Sequence, residues 1–260
     1  MTMLATITPP RYLYLTTKQL VHWANAHYAD NPSYVRFFQE QSDLGKFIIL
    51  DSGKIPIAHV VHYADMMSVK EIVVSYEPFN KTETVARATE TFLLCAVQRE
   101  TYQTLQGLRP SFMLVPQGVT PYDWLRCAHE LISLFLKIRT SYPVLVPKEL
   151  TLGLTQEFVD RLTKDECALV ISSLTHFRRA YRTNAHLLNW AGSSSPLENY
   201  PFRSVSSTYP FDLAMRSLAV EQRKPVDIMQ RTLTLSEQDA VRSYVTLFNK
   251  KLKNLHPITA

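Results

Sequence analysis

The chain has 260 residues, 46% of them hydrophobic and 20% charged, which supplies one large core and excludes a disordered, highly charged chain. Its formal net charge of +5 suits a polyanionic partner, although many ordinary soluble proteins carry as much.

In chain order, Pro9-Pro10 leads into Arg11 to Leu15, read as a first strand rich in bulky β-formers. Thr16-Thr17 then caps a predicted helix in which Leu20, Val21, Ala24 and Tyr28 recur at helical spacing. Phe47-Ile48-Ile49-Leu50 is the clearest strand, because four apolar residues in a row fit burial on both faces. It stops at an acid, a hydroxyl and a glycine: Asp51-Ser52-Gly53. Ile55 to Met67 reads as helix or loop. Lys70 to Ser75 is the next strand, running into the irregular loop Tyr76 to Asn80. Asn80 or Thr82 caps a helix that continues to about Leu105.

Ser111 to Val115 is a strand closed by Pro116-Gln117-Gly118, after which Thr120-Pro121 opens a helix. Trp124, Leu125, Ala128, Leu131, Ile132 and Phe135 form that helix's inner face. Leu150 to Leu154 is a short strand around Gly153, followed by a segment capped by Thr155. The helix Lys164 to Tyr181 ends near Arg178, Arg179 and Arg182, cations that complement its dipole. Ala185 to Trp190 and Arg203 to Ser206 are strands separated by the polar loop 192–196. Phe211 to Val220 is a short helix. A last helix spans about 236–253, with Ser236 and Asp239 as its capping pair.

Strands alternating with helices imply a parallel sheet with helical crossovers. No Gly-x-Gly-x-x-Gly or Walker-type loop is present, which counts against a dinucleotide or P-loop fold. A single (β/α)8 barrel over residues 1–260 fits the count and length; a doubly wound sheet is the alternative. Three widely spaced cysteines, Cys95, Cys127 and Cys167, support neither a zinc site nor a disulfide framework, and fit a reducing cytoplasm. Neither a signal peptide nor a transmembrane run is legible, so no membrane partner is expected.

In such a barrel the residues following each strand converge on one rim. Those residues are Asp51-Ser52-Gly53, Tyr76-Glu77, Gln117-Gly118, Gly153-Leu154, Asn189 and Ser206-Ser207. Three of the chain's six glycines stand here, where bare backbone can approach a ligand. A rim of carboxylate, amide and exposed main chain suits a flat heterocycle with donor and acceptor edges.

Asp51-Ser52-Gly53, Val115-Pro116-Gln117-Gly118 with Tyr122 to Cys127, Leu152-Gly153-Leu154, and His186-Leu187-Leu188 before Arg203 to Ser207 resemble the tRNA-guanine transglycosylase superfamily. The closest likeness is to its phage branch, the 7-deazaguanine DNA transglycosylases, and it covers roughly Phe47 to Pro210. The resemblance implies a (β/α)8 barrel that exchanges guanine in a nucleic acid for a 7-deazaguanine base. In that family an aspartate attacks the anomeric carbon and the incoming base displaces it, as a carboxylate does in retaining glycosidases. The target nucleotide must leave the base stack to be reached.

Carried over by position, Asp51 is the acid of the Asp-Ser-Gly motif, with Ser52 and Gly53 beside the base. Gln117, Gly118, Gly153 and Leu154 would frame the base, by amide and main chain. Where the family has its nucleophilic aspartate this chain has Ser206, so Asp212 or Asp51 itself would have to serve. Where the family has a base-reading aspartate this chain has Tyr76, with Glu77 one residue on. Arg178, Arg179, Arg182 and Arg203 would line a groove for phosphates, or else belong to a solvated helix end. The implied partners are DNA, or RNA, and a free 7-deazaguanine base, with no cofactor and no metal. The implied setting is the cytoplasm of a phage-infected bacterial cell. A homologue that binds nucleic acid or the free base without catalysis is the alternative.

Overall fold

Eight short parallel strands pair in sequence order, and β8 pairs back onto β1 to close a barrel. They are β1 (Met3–Ile7), β2 (Val21–Asn25), β3 (Phe47–Asp51), β4 (Glu71–Val73), β5 (Ser111–Leu114), β6 (Leu150–Thr155), β7 (Asn184–Leu188) and β8 (Ser204–Ser207). The structure, a computed structural model, describes residues 2–101, 110–142, 149–190, 200–218 and 232–255. The polar loop expected at 192–196, and the end of the helix expected to reach Leu105, lie outside them. The barrel decides between the two architectures left open by the strand–helix alternation.

The outer layer is α1 (Pro32–Asp43), α2 (Ile57–Met66), α3 (Lys81–Thr101), α4 (Pro121–Ser141), the single turn α5 (Gln156–Val159), α6 (Lys164–Tyr181), α7 (Tyr209–Leu218) and α8 (Leu235–Leu255). Each strand is buried twice, which is why β3 reads as an unbroken apolar run. Ile48 and Leu50 pack outward into the helix layer, while Ile49 joins the barrel interior with Ala5, Val21, Trp23, Val73, Met113 and Leu188. Thr120 and Thr163 close reciprocal capping boxes with Asp123 and Glu166. The last helix is capped by Thr234 and Glu237 rather than by Ser236 and Asp239.

The first quarter of the chain differs from the sequence reading. Arg11 to Leu15 lies in a 3-10 helix (Pro10–Leu15), not a strand, and the segment expected to be a helix after Thr17 contains β2. Proline is tolerated at a helix start, since its missing N–H is unpaired there in any case. The 3-10 turn stands where a crossover helix would, and α8 covers it. Tyr12 and Leu15 pack with Phe211, Ala214, Val241 and Val245.

At the amino-terminal mouth of the barrel, Arg203 and Glu71 form an ion pair beneath the sheet. Glu71 is fully buried and also accepts hydrogen bonds from Thr151 (2.6 Å) and Ser111 (3.1 Å). The Arg203 guanidinium lies 4.9 Å from the centre of the Phe47 ring. This network plugs the end of the barrel opposite Asp51.

Candidate active site at the carboxyl mouth of the barrel

Asp51 is the last residue of β3 and stands in register with Asn25 on β2 and Val73 on β4. The chain turns sharply behind it. Gly53 has φ +53°, and its N–H donates to Asp51 Oδ1 at 3.0 Å. The Trp23 indole N–H donates to Asn25 Oδ1, one strand from Asp51, at 3.3 Å. Burial raises the Asp51 pKa above the ordinary carboxylate range, and the Gly53 N–H and the nearby Trp23 indole oppose the rise without cancelling it. Tyr76 reaches over from the β4–α3 loop. Its phenol is pushed up to about 12, first by burial and then by the charges of Asp51 and Glu157, so it stays a neutral donor.

The loops around this mouth are braced. Arg87 on α3 donates to the Tyr76 carbonyl (3.2 Å) and Ser75 Oγ (3.3 Å) and pairs with Glu77 at 2.8 Å. Ser75 Oγ in turn donates to the Gly53 carbonyl at 2.9 Å, which ties the β3 and β4 loops together. Arg161, beyond β6, lies 4.0 Å over the Phe79 ring and pairs with Glu157.

The sequence-predicted residues separate into groups on this frame. Asp51, Gly53 and Tyr76 gather at the mouth. Ser52 is buried, and its hydroxyl has no hydrogen-bond partner among the described residues. The Glu77 carboxylate faces Arg87 on α3. Gln117 is buried, with its Oε1 accepting from the Phe79 N–H (3.0 Å) and its Nε2 donating to the Val115 carbonyl (3.3 Å). A Cβ at Gly118 would lie 2.4 Å from the Trp124 nitrogen, so this glycine lets the strand end approach the start of α4. A Cβ at Gly153 would point at Leu188 (2.6 Å) inside the barrel, and the Leu154 side chain packs outward under the helices.

Ser206 is fully buried and accepts from the Asn189 N–H at 3.3 Å. Asp212 lies in the first turn of α7, where Thr208 Oγ1 donates to its carboxylate at 3.1 Å. The arginines stand at the other end of the barrel. Arg178 and Arg179 lie in the last turn of α6 and Arg182 caps it, two residues before β7 begins. They share the amino-terminal mouth with Arg203, away from the mouth that holds Asp51. Two residues of the mouth, Trp23 and Asn25, escape the sequence reading, because β2 reads there as helix. Among the described residues no three His, Cys, Asp or Glu side chains gather as a metal site, and no helix is long and apolar enough to cross a membrane.

No protein-family model matches the chain, and no curated protein matches it in sequence. Among solved structures, the YdjI aldolase from Escherichia coli K12 aligns with a TM-score of 0.56 at 11% identity, over 98% of this chain and 91% of its own. The structure described as AsfvAP:AG aligns with a TM-score of 0.50 at 11% identity, over 96% and 99%. N-(5'-phosphoribosyl)anthranilate isomerase from Pyrococcus furiosus aligns at 0.44 with 9% identity, over 95% and 100%. The likeness is one of fold.

What the mouth offers chemically is a carboxyl held towards its protonated form, a neutral phenol beside it and an amide one strand away. A carboxyl with a raised pKa gives a proton and takes one back at a higher pH than an ordinary aspartate does. Among the described residues no carboxylate or imidazole bonds to the Ser206 hydroxyl, and His186 bonds to Ser204 instead.

Proposed function

We propose that this chain is a nucleic-acid base-exchange enzyme, taking guanine out of DNA and installing a 7-deazaguanine base, with Asp51 as its essential carboxyl. The observation that carries the proposal is the place of the Asp51 carboxyl, partly buried at the end of β3 on the carboxyl mouth of the barrel and held by the Gly53 N–H, where burial raises its pKa. The order of the four resembling segments along the chain supports the substrate class. Asp51 protonates the departing purine as its bond to the anomeric carbon breaks. The cationic anomeric carbon left behind is held against the now ionised carboxylate until the incoming base bonds to it, and the carboxylate takes up the proton that this base releases. The two half-steps leave the enzyme's proton count unchanged, as an exchange requires.

The test is incorporation of labelled guanine, and of labelled 7-deazaguanines, into duplex and single-stranded DNA. Wild type is expected to incorporate label, and Asp51→Asn to lose about 10²–10⁴-fold of the rate. Absence of incorporation with every base and both DNA forms rejects the enzyme. A second reading, a homologue that binds the base or nucleic acid without chemistry, is favoured by Ser206 standing where the family's nucleophile would be and by the engaged amide of Gln117. Salt-dependent binding without incorporation selects that reading.

A further inference from the structure

Asn25 ends β2 and is the direct partner of Asp51 across the sheet, where paired residues of neighbouring strands lie about 4.8 Å apart. Val21 and Trp23, earlier on the same strand at alternate positions, pack inside the barrel, so Asn25 turns the same way, into the mouth. Both its backbone and its side chain are held. The Tyr34 hydroxyl accepts its backbone N–H at 2.7 Å, and its Oδ1 accepts the Trp23 indole N–H at 3.3 Å. An indole nitrogen only donates, so that bond settles which end of the amide is the oxygen. The indole is braced in turn by stacking on the His186 ring, with centroids 5.4 Å apart. Asn25 Nδ2 is thus the end turned away from the indole, and it has no protein partner among the described residues. The residue is partly exposed, so this donor is open to the mouth rather than shut in. Gln117, the amide that the family resemblance assigns to the base, differs on both counts. It is buried, and its amide is engaged at both ends, by the Phe79 N–H and the Val115 carbonyl.

We propose that Asn25 is the base-reading amide of this mouth, its Nδ2 donating to the exocyclic oxygen O6 of a guanine-type base held beside Asp51. This rests on the base-exchange reading and names the group that recognises its substrates. Guanine carries two neighbouring acceptors on one edge, N7 and O6. An amide donor next to a protonated carboxyl matches that edge. A 7-deazaguanine has carbon in place of N7 but keeps O6, so Asn25 reads the acceptor that the departing and arriving bases share. Adenine turns an amino group to the same donor and is refused, because two N–H groups then face each other unpaired.

The test is calorimetric binding of free bases, which needs no exchange. Wild type is expected to bind guanine and 7-deazaguanine about 5- to 10-fold more tightly than 2-aminopurine, a guanine analogue without O6, the worth of one hydrogen bond. In Asn25→Ala that preference is expected to vanish, with the affinity for 2-aminopurine unchanged. Asn25→Leu, which keeps the volume, is read in the same way should the alanine variant fail to fold. A preference that survives in the folded variant overturns the proposal, and its loss in Gln117→Ala instead returns the role to Gln117. Wild type that binds guanine no better than 2-aminopurine, or binds neither, overturns it as well. A preference lost as expected, in a protein that incorporates no base into DNA, upholds Asn25 as the reader and rejects only the exchange. Incorporation by wild type, with the preference intact in Asn25→Ala, rejects Asn25 and leaves the exchange standing.

Discussion

A side chain kept for folding and one kept for chemistry answer the same substitution with opposite signs. Burial raises the Asp51 pKa, so the folded chain holds this proton more tightly than the unfolded chain. The stability it contributes is complete below the ordinary carboxylate pKa and is lost as pH rises through the folded value. Above that value the ionised form is a standing cost. Asparagine keeps an oxygen for the Gly53 N–H and never ionises. Asp51→Asn should therefore melt a few degrees above wild type at pH 7 and close to it at pH 4 while losing exchange, as calorimetry at the two pH values would read. A lower melting temperature at pH 7 would make Asp51 a structural residue. His22 answers pH in the other direction. It is buried against Phe37 and Phe38, and burial, helped by Lys46, lowers its pKa from 6.5 to about 4. Below pH 6.5 the unfolded chain takes up a proton that the folded chain refuses until about pH 4. Stability should fall across that window by roughly 3 kcal/mol, at up to about 1.4 kcal/mol per pH unit. Urea unfolding of wild type should show this slope at acid pH, and His22→Leu should flatten it.

Among the elements, most of those from β3 onward are legible from apolar strands and helix caps, while α2, which follows Pro56 with no side-chain cap, reads as helix or loop and α8 is capped two residues earlier than the sequence suggests. Lys164–Tyr181 agrees with the sequence reading to the residue, and Thr120 and Thr163 close real capping boxes. The first quarter is not legible, for a physical reason. Val21 and Trp23 point into the barrel while Ala24 joins the outer core and His22 packs on Phe37 and Phe38, so double burial erases the period-two signal of β2. With β2 hidden, spacing does not place Trp23 and Asn25 at the mouth, whereas it does place Asp51, which ends the plainest strand. Two of the strand-end glycines illustrate what spacing alone does not distinguish. Gly53 has a positive φ and open space around its α-carbon, while Gly118 abuts the backbone of α4. Gly53→Ala should cost about 1 kcal/mol through its left-handed backbone, with Gly53→Asn costing less. Gly118→Ala should cost about 1–3 kcal/mol by collision, because the Trp124 nitrogen belongs to a helix that cannot yield locally. Denaturant unfolding of the three variants checks the order. An alanine at 118 as mild as one at 53 would mean that α4 shifts freely.

For the molecule as a whole, the barrel separates chemistry from reinforcement by the length of its strands. Five residues of strand span about 16 Å, so a group at one mouth does not touch a substrate seated at the other. Sequence order alone does not say at which mouth a cation stands. Arg203 directly precedes β8 and reads in the sequence as a phosphate ligand, yet it pairs with the fully buried Glu71 under the sheet. Removing one partner of a buried pair leaves an uncompensated charge, which costs about 3–5 kcal/mol. Arg203→Ala should therefore unfold at clearly lower denaturant concentration than wild type. Arg178→Ala and Arg179→Ala, at exposed positions, should stay within about 0.5 kcal/mol of it. The same variants separate the two uses of charge in binding. If DNA is engaged at the mouth that holds Asp51, neutralising Arg178, Arg179 and Arg182 together leaves the salt dependence of binding unchanged. If the amino-terminal mouth carries phosphates instead, that triple variant lowers the slope of log affinity against log salt by about one for each phosphate no longer neutralised. A lowered slope would relocate the nucleic acid to the end of the barrel farthest from the raised carboxyl, and base exchange at Asp51 would then have no substrate within reach.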